Sequence, residues 1–208
     1  MNTAVAAAPR TLADVIPMPG DRVARIARDV TLVGSFALLT ALFAQIRIGL
    51  SFTPVPITGQ TFAVLLAGTA LGWKRGFASQ AVYWLVGILL PVAWYSGGTH
   101  GWEVATGATA GYMFGFMLAG AAVGYLAERG QDRSFATSLP AMLAGTAMIY
   151  TCGVLWLAHQ PNATPAATSL QHAIEIGLTP FVIGDALKLT AAGLITPLAW
   201  RAVDRWHD

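Results

Sequence analysis

Long uncharged apolar runs, separated by short clusters of charge, dominate the pattern along this chain. A helix of about 20 apolar residues crosses a bilayer core of ~30 Å. Six runs approach that length. They cover residues 30–50, 57–73, 76–94, 107–127, 139–158 and 178–200. The first has Arg47 as its only charge, and the last carries Asp185 and Lys188. The second follows Pro54 and Pro56 and is short. The pattern predicts an all-α integral membrane protein of six transmembrane helices, with both ends on one side. A β-barrel would alternate polar and apolar residues over strands of ~10 residues. Stretches such as TLVGSFALLTALFA and GYMFGFMLAGAAVGYLA do not alternate. No internal repeat is visible, so an inverted-repeat transporter is unsupported.

Composition sharpens this reading. Charged residues make up 11% of the 208, against roughly 25% in soluble domains, and the mean hydropathy is +0.59. A disordered chain and a nucleic-acid module built on a basic face are excluded. Ten of the twelve Lys and Arg fall on one predicted side. They are Arg10, Arg22, Arg25 and Arg28 in the N-terminal arm, Lys74 and Arg75, Arg129 and Arg133, and Arg201 and Arg205. The opposite loops, 95–106 and 159–177, contain none. The positive-inside rule places both termini in the cytoplasm. The chain divides into a cytoplasmic arm (1–29), a six-helix membrane domain (30–200) and a cytoplasmic tail (201–208). Asp14, Pro17 and Pro19 leave no apolar core for a cleavable signal peptide in the arm. The segment DRVARIARD (21–29) reads either as a basic amphipathic turn on the anionic leaflet or as an ordinary anchor before the first helix.

Polar groups within the spans are costly and mark candidate sites. Asp185 and Lys188 share a helix face at a spacing of three. They read either as a mutually neutralising packing pair or as a polar site in an outward-facing cavity, with Gly184 allowing close approach. The stretch SFTPVPITGQT (51–61) is forced into extended form by its two prolines. Thr58 could cap the undersized second helix, with Gln60 and Thr61 in its first turn. This is either a plain connector or a cavity lining. The outer loop WYSGGTHGWE (94–103) combines aromatics with Gly97 and Gly98, as an interfacial belt or a mobile lid. His100 and Glu103 are too few for a metal site.

Small residues recur four apart at Ala37 and Ala41, Gly111 and Gly115, and Gly120 and Gly124. Such spacing serves either packing inside the bundle or docking of another membrane protein. Cys152 stands alone, which excludes an intrachain disulfide and any CxxC motif. GxxxxGK[ST], GxSxG and HExxH are absent, so ATP hydrolysis by a P-loop and common hydrolase chemistry are unsupported.

PVPITGQTFAVLLAGTALGWKRG (54–76), the loop containing Gly97 and Gly98, GATAGYMFGF (107–116) and PFVIGDALK (180–188) together resemble the BioY family. These are the biotin-specific S components of energy-coupling factor transporters. The resemblance spans about residues 30–200. Ala108 and Ala110 depart from the GPTGGY pattern often found in the family, which bears on the bend there. The resemblance implies a six-helix S component in a prokaryotic plasma membrane. It implies a biotin pocket near the outer face, closed by the loops after the first and third helices. It implies a transmembrane T protein and two ABC-type ATPases as partners, with Ala37 and Ala41 contacting the T protein. ATP–Mg would be used by those partners, and no cofactor or metal is expected in this chain.

Biotin carries a ureido ring with two N–H donors and one carbonyl, an apolar thiolane and a carboxylate tail. Asp185 could accept the ureido N–H groups. Lys188 could donate to the ureido oxygen or pair with the carboxylate. Trp94, Tyr95 and Tyr112 are candidate apolar walls, and Thr58, Gln60, Gly97, Gly98 and Gly184 are further candidates for the site. Other readings stay open: a self-sufficient secondary transporter coupled through Asp185, a homo-oligomer when unpartnered, a membrane-embedded enzyme, or a purely structural Asp185–Lys188 pair.

Overall fold

The computed structural model describes residues 10–159 and 169–207. The first nine residues of the arm, residues 160–168 of the last outer loop and Asp208 of the tail lie outside them. The six expected helices are all present. α1 (Arg22–Gln45), α2 (Gln60–Leu71) and α3 (Trp73–Leu89) are followed by the short α4 (Trp102–Ala105). Then come α5 (Ala110–Ala127), α6 (Phe135–His159), the short α7 (Leu170–Gly177) and α8 (Val182–His207). Among the described residues, α1, α5, α6 and the segment holding α8 are long and apolar enough to cross a membrane. Large apolar side chains such as Leu38, Leu42, Leu143, Ile183 and Leu187 face outward, as a lipid solvent requires and water does not.

α1 begins eight residues before the predicted span. Asp21 accepts a hydrogen bond from the Ala24 amide at 3.0 Å, a side-chain cap that lets the helix run through the basic segment. α1 also stops earlier than predicted. Arg47 and Ile48 form a strand, β1, paired antiparallel with Ile57 and Thr58 of β2. Arg47 is therefore outside the helix that was expected to contain it. Gln45 closes α1 by donating to the carbonyls of Trp94 (3.4 Å) and Tyr95 (3.2 Å) in the outer loop.

α2 has only twelve residues, about 18 Å of rise, so it cannot cross a bilayer core alone. The 49–58 segment, with a turn at Ser51 and Phe52, leads into it. Gly72, at φ +79°, turns the chain directly into α3. Lys74 and Arg75 thus occupy the first turn of α3 rather than a loop. The Glu128 carboxylate accepts from the Trp73 amide at 3.0 Å, placing an anion at the positive end of the helix.

Bundle packing rests on glycine. A Cβ on Gly76 would come 2.7 Å from the Gly120 carbonyl oxygen, and one on Gly68 would come 2.9 Å from the same atom. Gly124 lies against the backbone of Gly72 and Trp73. On the other side of α5, Gly115 meets Ile149 of α6, 2.8 Å from a built Cβ to Cα. Both glycine pairs of α5 therefore serve the bundle interior.

Ala37 and Ala41, which the resemblance assigns to contact with a T protein, pack inside this chain. They are 1% and 4% exposed and are covered by this chain's own core with Tyr83 and Tyr95. Their small size brings α1 close to α3, where the Thr40 hydroxyl meets the Gln80 side chain within 3.3 Å.

The segments predicted to be cytoplasmic gather at one end. A short 3-10 turn (Leu12–Val15) is fastened there. Asp14 takes Arg75 at 2.6 Å, and Arg75 also reaches Asp29 at 3.4 Å. Arg28 donates to the carbonyls of Ala13 and Ile16. Asp132 accepts from the Trp200 indole at 2.6 Å, with Arg133 stacked on that ring.

Candidate functional site

At the opposite end the short α2 and the turned-out α1 leave a cavity of about 250 Å³. Its polar wall comes from α8. Phe181 closes a 3-10 turn (Thr179–Phe181) that Pro180 opens, and α8 then presents Asp185 and Lys188 on its inward face. Lys188 Nζ donates to Asp185 Oδ1 at 2.6 Å. The Tyr150 hydroxyl donates to the other carboxylate oxygen at 2.7 Å. Thr61, in the first turn of α2, donates to Oδ1 at 3.3 Å. Asp185 is 4% exposed, and three donors hold its charge in place.

This leaves defined capacity for a guest. An ammonium has three N–H donors, and Lys188 has engaged one. A carboxylate oxygen has two lone pairs, and Oδ2 of Asp185 has used one. The wall therefore offers donors and an acceptor side by side, suited to a group that carries both a carbonyl and an N–H.

The remaining walls are aromatic and apolar. Tyr112 and Tyr150 meet edge to face at 6.1 Å, and Tyr150 stacks near Phe181 at 6.3 Å. The Tyr112 hydroxyl is anchored on the Gly177 carbonyl at 2.7 Å, so α7 steadies this wall. The Gln60 side-chain amide donates to the Tyr83 hydroxyl at 2.8 Å, and the Thr58 hydroxyl donates to Gln60 Oε1 at 2.9 Å. Phe116 and Ile149 complete the apolar surface. The 51–61 stretch is thus a cavity lining and not a plain connector: Pro54, Val55, Pro56, Thr58, Gln60 and Thr61 all face the space.

Six predicted residues line the cavity: Asp185, Lys188, Tyr95, Tyr112, Gln60 and Thr58. Four lie outside the lining. Trp94 donates its indole N–H to the Tyr83 carbonyl at 2.7 Å and stacks on that ring at 6.2 Å, so it supports the wall from behind. Gly97 and Gly98 adopt φ +77° and +71° and turn the loop that carries Tyr95, Ser96 and Thr99 over the cavity. Gly184 does not permit a close approach, because a Cβ there would meet no atom within 4 Å.

Sequence reasoning missed Tyr150, Tyr83 and Ser96 as lining residues, and it placed Arg47 in a helix. A phenol inside an otherwise apolar span was the available signal for Tyr150. For Arg47 it was the lone cation near the end of the first span.

A second, more open cavity of about 550 Å³ lies between α6, α7 and α8. It is lined mainly by apolar side chains and shares only Tyr150 and Asp185 with the first. These two side chains form the partition between them.

The family described as the BioY family matches residues 10–205. The biotin transporter BioY of Thermotoga maritima is 39% identical over 170 residues, covering 81% of this chain and 93% of the relative. The protein of the same name from Rhodobacter capsulatus is 38% identical over 176 residues, covering 81% and 90%. Both names are those of transporters, not enzymes. A solved structure, described as the S-component for biotin from an ECF-type ABC transporter, superimposes with a TM-score of 0.74. It is 21% identical, and the match covers 86% of this chain and 93% of that one. That likeness shows the S-component fold.

Proposed function

The chain belongs to the BioY family, and from that membership and the cavity we propose that it captures biotin and serves its uptake across the membrane. The observation that carries this reading is the Asp185–Lys188 pair facing an aromatic-walled cavity of about 250 Å³. A ureido group can give an N–H to Asp185 and accept from Lys188, while the thiolane packs on Tyr112, Tyr150 and Phe181. A site whose buried polar groups are satisfied only by the matching ligand rejects analogues that lack the group. The cavity lies at the end opposite the cation-rich segments, and the positive-inside rule assigns that end to the exterior.

We further propose that the membrane is a prokaryotic plasma membrane. The energy for uptake comes from a transmembrane T protein and two ABC-type ATPases, with ATP–Mg bound on those partners. Support comes from the family and from the absence of a P-loop motif in this sequence.

Titration calorimetry of the purified full chain tests the capture step. One-to-one biotin binding that Asp185→Asn and Lys188→Ala each abolish is the expected result. A well-folded wild-type chain that binds no biotin overturns the assignment. Uptake of labelled biotin in cells expressing the chain with and without the T protein and ATPases tests the second step. Uptake that persists without them and collapses with the proton gradient overturns the partner reading in favour of a secondary transporter.

A further inference from the structure

One cavity has no part in the capture reading: the open one of about 550 Å³ between α6, α7 and α8. Its lining runs from Leu143 to Leu155 along α6. Twelve residues of helix rise about 18 Å, and one leaflet of a ~30 Å core is about 15 Å deep. Ile174 of α7 and Leu178 just after it line the outer end. The groove therefore spans the outer half of the membrane, beside the ligand cavity. Leu143, Leu155, Ile174 and Val182 stand out along it, 39–58% exposed, so it is continuous with the lipid-facing surface of the bundle.

The lining offers nothing to a polar guest. The Thr146 hydroxyl donates to the Met142 carbonyl at 2.9 Å, and the Thr151 hydroxyl donates to the Ala147 carbonyl at 2.8 Å. The Tyr150 hydroxyl is committed to Asp185. An unfilled apolar void forfeits dispersion contacts along its walls. At this depth the surroundings hold no water, so hydrocarbon is what fills it. A docking helix would call for small residues repeated along one face. Here α6 and α8 contribute one alanine each, Ala147 and Ala186, among bulky branched neighbours.

We propose that this groove seats one acyl chain of an outer-leaflet phospholipid, and that the chain completes the ligand cavity from behind. Tyr150 and Asp185 are the partition between the two spaces. Hydrocarbon packed on their far side holds the Tyr150 ring and the Asp185 side chain toward the ligand, so lipid becomes a structural part of the site. The backing role rests on the reading that biotin fills the first cavity; the lipid seat does not.

Native mass spectrometry of the full chain, released from nanodiscs of palmitoyl-oleoyl phosphatidylethanolamine, counts the lipid it retains. The wild type is expected to keep one phospholipid. Ala147→Phe and Ala186→Phe, whose rings fill the groove, are expected to lose it. Leu38→Phe, on the outward surface of α1, is expected to keep it. Both alanines are exposed, so unchanged melting temperatures will show that the variants fold. In titration calorimetry, adding the same lipid to the delipidated chain should tighten biotin binding about three- to tenfold, and Ala147→Phe should lose that response. A wild type that keeps no lipid overturns the site, and so does retention that neither ring affects. A dimer without lipid gives the groove to a second copy and overturns it too. Retained lipid with no effect on biotin affinity overturns the backing role. Failure of the folded, lipid-loaded chain to bind biotin overturns the biotin reading while the lipid seat stands.

Discussion

Tyr150 and Lys188, from α6 and α8, grip opposite oxygens of the Asp185 carboxylate, at 2.7 and 2.6 Å. The carboxylate is thereby oriented before any ligand arrives. Removing one member of a buried ion pair strands the other, which costs about 3–5 kcal/mol when burial is complete. Lys188 keeps 21% of its side-chain exposure, so the cost of Asp185→Asn is set lower, at about 1–3 kcal/mol. Tyr150→Phe removes one hydrogen bond to a charged acceptor and is expected to cost about 1–2 kcal/mol. Thermal unfolding in detergent reads both. Biotin affinity should fall at least about 100-fold for the first and about tenfold for the second.

The wall behind the cavity depends on Trp94. Trp94→Phe keeps the stack on Tyr83 but leaves the Tyr83 carbonyl without its indole donor. The expected loss is about 1 kcal/mol of stability, with biotin affinity reduced only a few-fold because Trp94 does not line the cavity. A loss as large as that of Asp185→Asn would place the ring against the ligand instead.

The glycine seam between α3 and α5 should be intolerant of a single methyl. Gly76→Ala drives a Cβ to 2.7 Å from the Gly120 carbonyl oxygen, and overpacking of this kind costs about 1–3 kcal/mol. Gly34→Ala on α1 is the control. Nothing lies within 4 Å of its Cβ, so the change should raise the melting temperature slightly through helix propensity. Equal effects of the two substitutions would contradict the packing described.

Acid stability is expected to depend on the inner end. Burial alone would raise the Asp14 carboxyl, but the hydrogen bonds from Arg75 and Thr11 and the Arg75 charge outweigh it, holding the group below its ordinary value. A carboxylate lowered in the folded state contributes stability above its unfolded pKa and loses it as pH falls through the folded value. Asp132 has the opposite sign. Burial raises it, against the pull of Trp200 and Arg133, so its contribution is present below the unfolded pKa and is lost as pH rises through the folded one. Melting temperatures from about pH 7 to about pH 3 should fall less steeply for Asp14→Asn than for the wild type, and more steeply for Asp132→Asn.

The six main helices were visible as apolar runs, because the bilayer sets their composition and, for the four that are long enough to cross it, their length. The Asp185–Lys188 pair was visible for the same reason, since a charge inside such a run stands out. Tyr150 was not, because its partner lies 35 positions away and a lone phenol carries no spacing signal. The β1–β2 pair was hidden by its two-residue strands, and with it the release of Arg47 from α1. The direction of Ala37 and Ala41 was hidden too. α1 is apolar on the faces toward lipid and toward protein alike, so spacing revealed small residues without revealing which neighbour they meet.

The glycine contacts of α2, α3 and α5 bring backbone against backbone, and backbone has no rotamers to exchange. Helices joined in this way have no alternative packing to slide into, so near the inner end they behave as one rigid casting. Opening and closing around a ligand must then be carried by what lies outside the casting: the 49–58 segment, the loop bearing Tyr95 and Ser96, and the α7–α8 side. The vessel would work as a fixed cup with a movable rim, and loading it would leave the surface at the opposite end almost unchanged.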